Sequence, residues 1–338
     1  MPGGLETTLV ILSWAYIAGF FAWLLLLTVV GERLALLFFF NSLAHLAFLP
    51  LPLPLVLALL TGNLPLLLAS GLAVCVWLYL WGKPLLPRFL RNRRAPDGGA
   101  PFSIATYNLL WVNDDYEGII EAIRRLDTDV VGLQEISPAH SAAIAAQLTS
   151  EYPYQVFRPA PRASGIALLS RLPVVESPDA IEDPYWLGAP LIAGLTVAGR
   201  EVSVIVFHAA SVMVPSLARE RQARKLIDYA AALERPVVLV GDFNATSVSP
   251  AYRILAGSLQ DIWLAAGWGH GHTFPGAAWQ PVPGSVRPPL PRRLIPKWLV
   301  RIDFIFVTLH WHARHARTAP HDGASDHRPV IAHLTLRS

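Results

Sequence analysis

Between residues 5 and 81 the sequence carries only three charged side chains, Glu6, Glu32 and Arg33. A water-soluble domain of that size needs far more polar surface, whereas helices in a bilayer need almost none. About 20 apolar residues cross a hydrocarbon core, which predicts three spans over residues 8–30, 34–60 and 64–81. Pro50, Pro52 and Pro54 interrupt the second, so its later part is expected to be kinked or interfacial. The third ends in Trp77, Tyr79 and Trp81, the amphipathic rings that collect at a membrane boundary. No basic stretch precedes the first span and further spans follow it, which argues against a cleaved leader. Asn41 and His45 inside the second span are expected to hydrogen-bond between helices, with a functional polar site as the alternative.

Residues 1–82 therefore read as the membrane region, 83–100 as a basic junction and 101–338 as a second domain. The Gly31–Arg33 turn and the junction hold Arg33, Lys83, Arg88, Arg91, Arg93 and Arg94, while the N-terminal tail and residues 61–63 hold no Lys or Arg. With three spans the basic elements share one side, and the positive-inside rule makes that side cytoplasmic. The chain has 27 Lys+Arg and 24 Asp+Glu, of which six and two precede Pro96, so the rest carries a net charge of −1. That balance gives no domain-wide attraction for nucleic acid. The single cysteine, Cys75, excludes an intrachain disulfide framework.

Beyond Pro101, β-prone apolar runs alternate with helical patterns. Strands are expected at 102–107, 130–133, 166–170, 191–196, 202–207, 237–240, 302–307 and 330–334, and helices at 116–126, 138–148, 217–233 and 250–255. An α/β sandwich in layers follows. The 217–233 helix, with Arg219, Arg221, Arg224 and Lys225, reads as a solvated face. Residues 276–299 form a proline-rich basic loop, either simply solvated or resting on anionic headgroups.

Polar residues recur where these strands end. Asn108 closes the first, Gln134 and Glu135 the second, and His208 follows Val-Ile-Val-Phe. Asp242 and Asn244 follow Val-Val-Leu-Val, Asp303 lies in Arg-Ile-Asp-Phe-Ile, and Asp326 and His327 precede the last strand. Each has a plain alternative: Asn and Asp make turns after strands, His208 can be a satisfied core histidine, and Asp303 can pair with Arg301. Together they form an oxygen-rich set that suits a hard divalent cation such as Mg²⁺, and hence phosphate chemistry.

In this order the stretches Thr-Tyr-Asn108, Leu-Gln-Glu135, Phe-His208, Gly-Asp242-Phe-Asn244, Thr273-Phe-Pro, Arg-Ile-Asp303 and Ser-Asp326-His327-Arg-Pro-Val closely resemble the endonuclease/exonuclease/phosphatase superfamily, which includes deoxyribonuclease I. The resemblance implies a four-layer, deoxyribonuclease I-like α/β sandwich preceded by about three transmembrane helices. It implies Mg²⁺, with Mn²⁺ as the alternative, held by Glu135 with Asn108 and Asp326. It makes His208, Asp242, Asn244, Asp303 and His327 catalytic, with Asp303 orienting His327, and leaves open whether Asp242 or His327 takes the proton. Thr273 matches a weaker structural motif. The expected activity is a membrane-anchored phosphoesterase acting on a phosphorylated substrate, with a membrane lipid in first place. Nucleic acid is the less favoured partner, through a membrane-tethered nuclease, and a catalytically silent scaffold comes last. Similarity to membrane phosphatases associated with teicoplanin resistance implies an outward-facing domain, opposite to the charge count.

Overall fold

The computed structural model describes residues 2–91, 99–276 and 296–337. Most of the proline-rich loop and part of the basic junction lie outside these residues. The apolar N-terminal region contains α1 (Pro2–Val29), α2 (Ala35–Ala47), α3 (Pro52–Thr61) and α4 (Leu64–Trp81). Two helices, α1 and α4, are long and apolar enough to cross a bilayer, and the pair α2 and α3, bent by 48°, makes a third candidate. The bend lies where the prolines cluster, since Pro52 has no N–H to continue a helix from α2. Gly62, at φ 65°, ends α3, and Asn63 caps α4 by accepting the Leu66 amide at 3.1 Å.

The expected second span departs from a simple crossing. One face of α2 exposes Leu36, Phe39, Phe40 and Leu43, while Phe38, Asn41, Ser42 and His45 are buried. The buried face meets the other domain: the Arg219 guanidinium lies 5.1 Å from the Phe38 ring, and His272 lies 4.9 Å from His45. Asn41 does link helices, accepting from Trp23 Nε1 at 2.9 Å and donating to the Gly31 carbonyl at 3.2 Å.

The chain continues through a short helix α5 (Arg88–Arg91), then β1 (Ala100–Asn108), α6 (Tyr116–Arg124), β2 (Val130–Gln134), α7 (Pro138–Leu148), β3 (Tyr154–Arg158) and β4 (Ile166–Ser170). Next come β5 (Val174–Glu176), β6 (Gly188–Val197), β7 (Arg200–His208), α8 (Ser216–Ala232), β8 (Val237–Asp242) and α9 (Pro250–Ser258). The last elements are β9 (Gln260–Asp261), α10 (Ile262–Ala266), β10 (Asp303–Val307), β11 (Trp311–Thr318) and β12 (Val330–Leu336). One sheet has the order β11-β12-β1-β2-β4-β3 and the other β5-β6-β7-β8-β10-β9.

The sheets stack through Ile104, Val130, Leu168, Val206, Val240 and Ile305. Packing is close enough that a Cβ on Gly132 would come within 2.6 Å of the Val240 side chain. Ile119, Ile120 and Ile123 of α6 cover the outside of the first sheet, with Ile144 and Leu148 of α7. Ala223, Leu226 and Ala230 of α8 cover the other, with Leu255 of α9. Helices, sheet, sheet and helices make the four-layer sandwich expected from the sequence.

The strands absent from the sequence reading are β3, β5, β9 and β11. All four lie at sheet edges, and β9 has only two residues. In β11, Trp-His-Ala-Arg-His-Ala-Arg-Thr carries few branched apolar residues and a register shift between Ala313 and His315, which weakens the two-residue pattern. A second correction concerns α8. Arg219 is 3% exposed, not solvated, because the Glu32 carboxylate of the α1–α2 turn lies 3.7 Å from it.

Candidate active site

Strand register assembles the site. The parallel pair β7 and β8 sets His208 beside Asp242, and antiparallel β10 sets Asp303 on the other side of Asp242. In the first sheet, parallel β1 and β2 bring Asn108 beside Gln134. Antiparallel β12 begins at the same edge, with Val330 opposite Thr106, so Asp326 and His327 arrive there from the preceding turn. Two sheets thus contribute polar ends to one edge of the sandwich.

The backbone at this edge is strained where side chains must turn inward. Glu135 has φ 58° and Asn244 φ 46°, a left-handed conformation that non-glycine residues rarely adopt. Gly241, just before Asp242, admits no side chain, since a Cβ there would lie 2.0 Å from the Phe207 carbonyl oxygen.

The predicted residues come together. Asn108 Nδ2 donates to Glu135 Oε1 and to Asp242 Oδ2, both at 3.1 Å, and its own oxygen accepts the Leu110 amide at 3.0 Å. His327 Nδ1 lies 2.8 Å from Asp303 Oδ2, and its Nε2 lies 3.7 Å from Asp242 Oδ2 and 3.9 Å from Asp326 Oδ1. His208 Nε2 is 3.4 Å from Asp242 Oδ2 and 3.0 Å from Asn244 Nδ2. The Asn244 amide donates to Asp242 Oδ1 at 2.8 Å. Thr273 stands one step back, its hydroxyl accepting the Ile302 amide at 3.2 Å. Asp303 does not pair with Arg301; that guanidinium instead grips Asp261 through two bonds of 3.1 and 2.8 Å.

Three contributors carry no signal of their own in the sequence. Ser325 Oγ donates to the Asn108 carbonyl at 2.6 Å and accepts the His327 amide at 3.0 Å, tying the turn to β1. The Trp111 amide donates to Glu135 Oε2 at 3.1 Å, and the Phe274 ring lies 5.0 Å from His327. Ser325 does stand within the Ser-Asp-His motif, but its role depends on which carbonyl folds over it.

Protonation follows from burial and neighbours. Burial opposes a charge on His327, but Asp303 and Asp242 outweigh it and hold the imidazole well above its ordinary value. The same balance raises His208 through Asp242. Burial alone would raise Asp242, yet His327 and His208 bring it down to about 2. Burial pushes Asp326 up to about 7 against the pull of His327, with Glu135 and Asp242 adding to the rise.

A divalent cation fits this donor set. Asp242, Asp303 and His327 offer ligand atoms within 4.8 Å of one another. His327 is held as a cation by Asp303, so its nitrogens suit a phosphate better than a metal. Glu135 and Asp326 are mutually repelling oxygen donors, and hard cations prefer such oxygens.

A family model described as Endonuclease/Exonuclease/phosphatase family matches residues 105–327. Comparison with curated proteins gives no match. Among solved structures, a functionally unknown conserved protein from Enterococcus faecalis V583 is 19% identical with a TM-score of 0.54, covering 70% of this chain and 100% of that one. D. rerio TDP2 complexed with single strand DNA product is 17% identical with a TM-score of 0.55, covering 70% and 99%. The endonuclease/exonuclease/phosphatase from Bacteroides vulgatus is 22% identical with a TM-score of 0.52, again covering 70% and 99%. At these identities the likeness establishes the fold.

Proposed function

The chain belongs to the endonuclease/exonuclease/phosphatase family, whose members hydrolyse phosphoester bonds, and from that premise we propose a membrane-anchored, Mg²⁺-dependent phosphoesterase. Its substrate is a phosphate ester or pyrophosphate presented at the bilayer surface. The observation that carries this reading is a hydrogen-bonded path from the membrane turn to the catalytic loop. Glu32 accepts from Ser249 Oγ at 2.5 Å, and that oxygen accepts the Thr246 amide at 3.0 Å, two residues beyond Asn244. A site tied so closely to membrane helices meets lipid-borne phosphate at high effective concentration.

Glu135 and Asp326, beside Asn108, would hold the cation, which would neutralise phosphate charge and polarise the bond to be broken. Asp242, anionic and fixed by Asn108 and the Asn244 amide, orients the attacking water and accepts its proton as the new P–O bond forms. His208 and His327, both favoured as imidazolium, face the growing charge on the phosphoryl oxygens as the bond to the leaving oxygen breaks. Asp303 keeps His327 charged and correctly turned.

A membrane-tethered nuclease is the second reading, favoured by the likeness to TDP2 with its DNA product. A domain with a net charge of −1 lacks the basic surface that nuclease binding draws on. The full-length protein, offered phosphatidic acid, a polyprenyl pyrophosphate and plasmid DNA with Mg²⁺ or EDTA, is expected to turn over a lipid substrate with Mg²⁺ alone. Rapid DNA nicking without lipid turnover would reverse the order of the two readings.

A further inference from the structure

Between the membrane helices and the catalytic domain lies a pocket of about 120 Å³, outside the catalytic cluster. Its wall includes His45 of α2, Lys83 after α4, Thr246 of the loop following β8, and His270, His272 and Arg301. Among the described residues no aspartate or glutamate lines it. Arg301 is already matched by Asp261, which leaves Lys83 as the lining cation without an ion-pair partner among the described residues. Two buried polar atoms on this wall, Thr246 Oγ1 and His45 Nε2, have no hydrogen-bond partner among the described residues. Both residues are 7% exposed. Buried polar groups normally find a partner, and leaving one without is unfavourable.

The three imidazoles stand close, with ring centroids 4.9, 5.3 and 5.7 Å apart. Burial pushes His272 down to about 3, helped by His45, and lowers His270 as well, so both stay neutral near pH 7 and add no charge of their own to the wall. A metal ion is one candidate ligand. Among the described residues, however, the group whose ligand atoms gather within 4.8 Å is Asp242, Asp303 and His327, not these histidines. A polyatomic anion bridges the wider spacing that a single cation does not. Leu80 and Trp81 also line the pocket, at the end of α4 where interfacial aromatics sit, so an anion there carries an apolar tail beside it.

We propose that this junction pocket binds the phosphate group of a membrane lipid headgroup. The hydroxyl of Thr246 and the ammonium of Lys83 donate to it, and the histidines close around it. The inference rests on the membrane-anchored reading above but not on the catalytic assignment.

The test titrates dihexanoyl phosphatidic acid into the full-length protein in detergent with EDTA present, followed by calorimetry. Saturable binding is expected, weakened about tenfold by Thr246→Val and by Lys83→Gln, retained in Thr246→Ser and retained in the catalytic-site variant Glu135→Gln. Binding that ignores Thr246→Val and Lys83→Gln but disappears in Glu135→Gln belongs to the catalytic centre and overturns the proposal. Inorganic phosphate binding as tightly as the lipid analogue would overturn the lipid source. Zn²⁺ binding, in a parallel titration without EDTA, that is lost in His45→Leu would replace the anion with a metal. Lys83 is exposed, so its variant carries the test if Thr246→Val fails to fold. A chain that binds the analogue yet hydrolyses nothing breaks the proposed activity alone; one that hydrolyses lipid without a dependence on Thr246 in binding breaks this inference alone.

Discussion

The candidate active site and the membrane junction both bury ionisable side chains, but they balance them differently. At the active site Asp242, Asp303, Asp326, His208 and His327 crowd together, and the protonation of each is shifted by at least one of the others. At the junction Glu32 faces the Arg219 guanidinium and the Ser249 hydroxyl, with Arg253 acting on it from further away. Crowding shifts protonation, as the proposed proton transfer requires, while pairing holds two elements together. A crowded set of buried charges suits chemistry, whereas a buried charge with a dedicated partner suits anchoring.

The sharpest way to break this comparison is to remove one member from each cluster. Asp242→Asn is expected to lower phosphoesterase turnover by about 10²–10⁴-fold with little change in thermal unfolding, measured on the substrate that the panel identifies. Loss of folding rather than of turnover would make the cluster structural. At the junction, Glu32→Leu leaves Arg219 buried and uncompensated, which is expected to destabilise the full-length protein by about 3–5 kcal/mol in denaturant titration. The double variant Glu32→Leu with Arg219→Met should recover most of that loss, because two apolar side chains need no partner.

A pH series sharpens the comparison further. His272 has a folded-state pKa of about 3 because of burial and its neighbour His45, against about 6.5 when unfolded. Above pH 6.5 neither state is protonated and His272 has no effect. As pH falls toward 3, the unfolded chain takes up a proton that the folded chain refuses, so stability drops at up to about 1.4 kcal/mol per pH unit. His272→Gln should flatten the urea-midpoint profile between pH 6.5 and 5. The smallest effect belongs to the surface pair Arg125 and Glu121, 2.6 Å apart but half exposed. Glu121→Gln is expected to change stability by under about 0.5 kcal/mol, a limit that a larger shift would contradict. Sidedness has its own measurement: by the basic residues of the Gly31–Arg33 turn and the junction after α4, a C-terminal fusion is expected to be active as a cytoplasmic reporter.

Much of the site is legible in the sequence because each residue sits immediately beside a strand whose apolar run is unmistakable. Val237–Asp242 and Val330–Leu336 announce themselves, and the polar residues at their ends stand out by contrast. The membrane helices are legible for the same reason, as long runs without charge. What resists reading is any role set by a distant neighbour. Arg219 sits in a helix rich in charge, and nothing local distinguishes it from Arg221, which stays 44% exposed. Thr246 is likewise ordinary until the fold places it in one pocket with His45.

The order of elements, the apolar anchor and the kinds of side chain at the strand ends were determined by the sequence alone, since hydrophobic periodicity and terminal polar groups act over a few residues. Which carboxylate faces which histidine, which arginine is buried, and how the membrane turn joins the loop after Asp242 were decided by the tertiary structure. Those pairings join residues as far apart as Glu32 and Ser249, and burial and charge balance are properties of the neighbours a residue acquires, not of the residue itself.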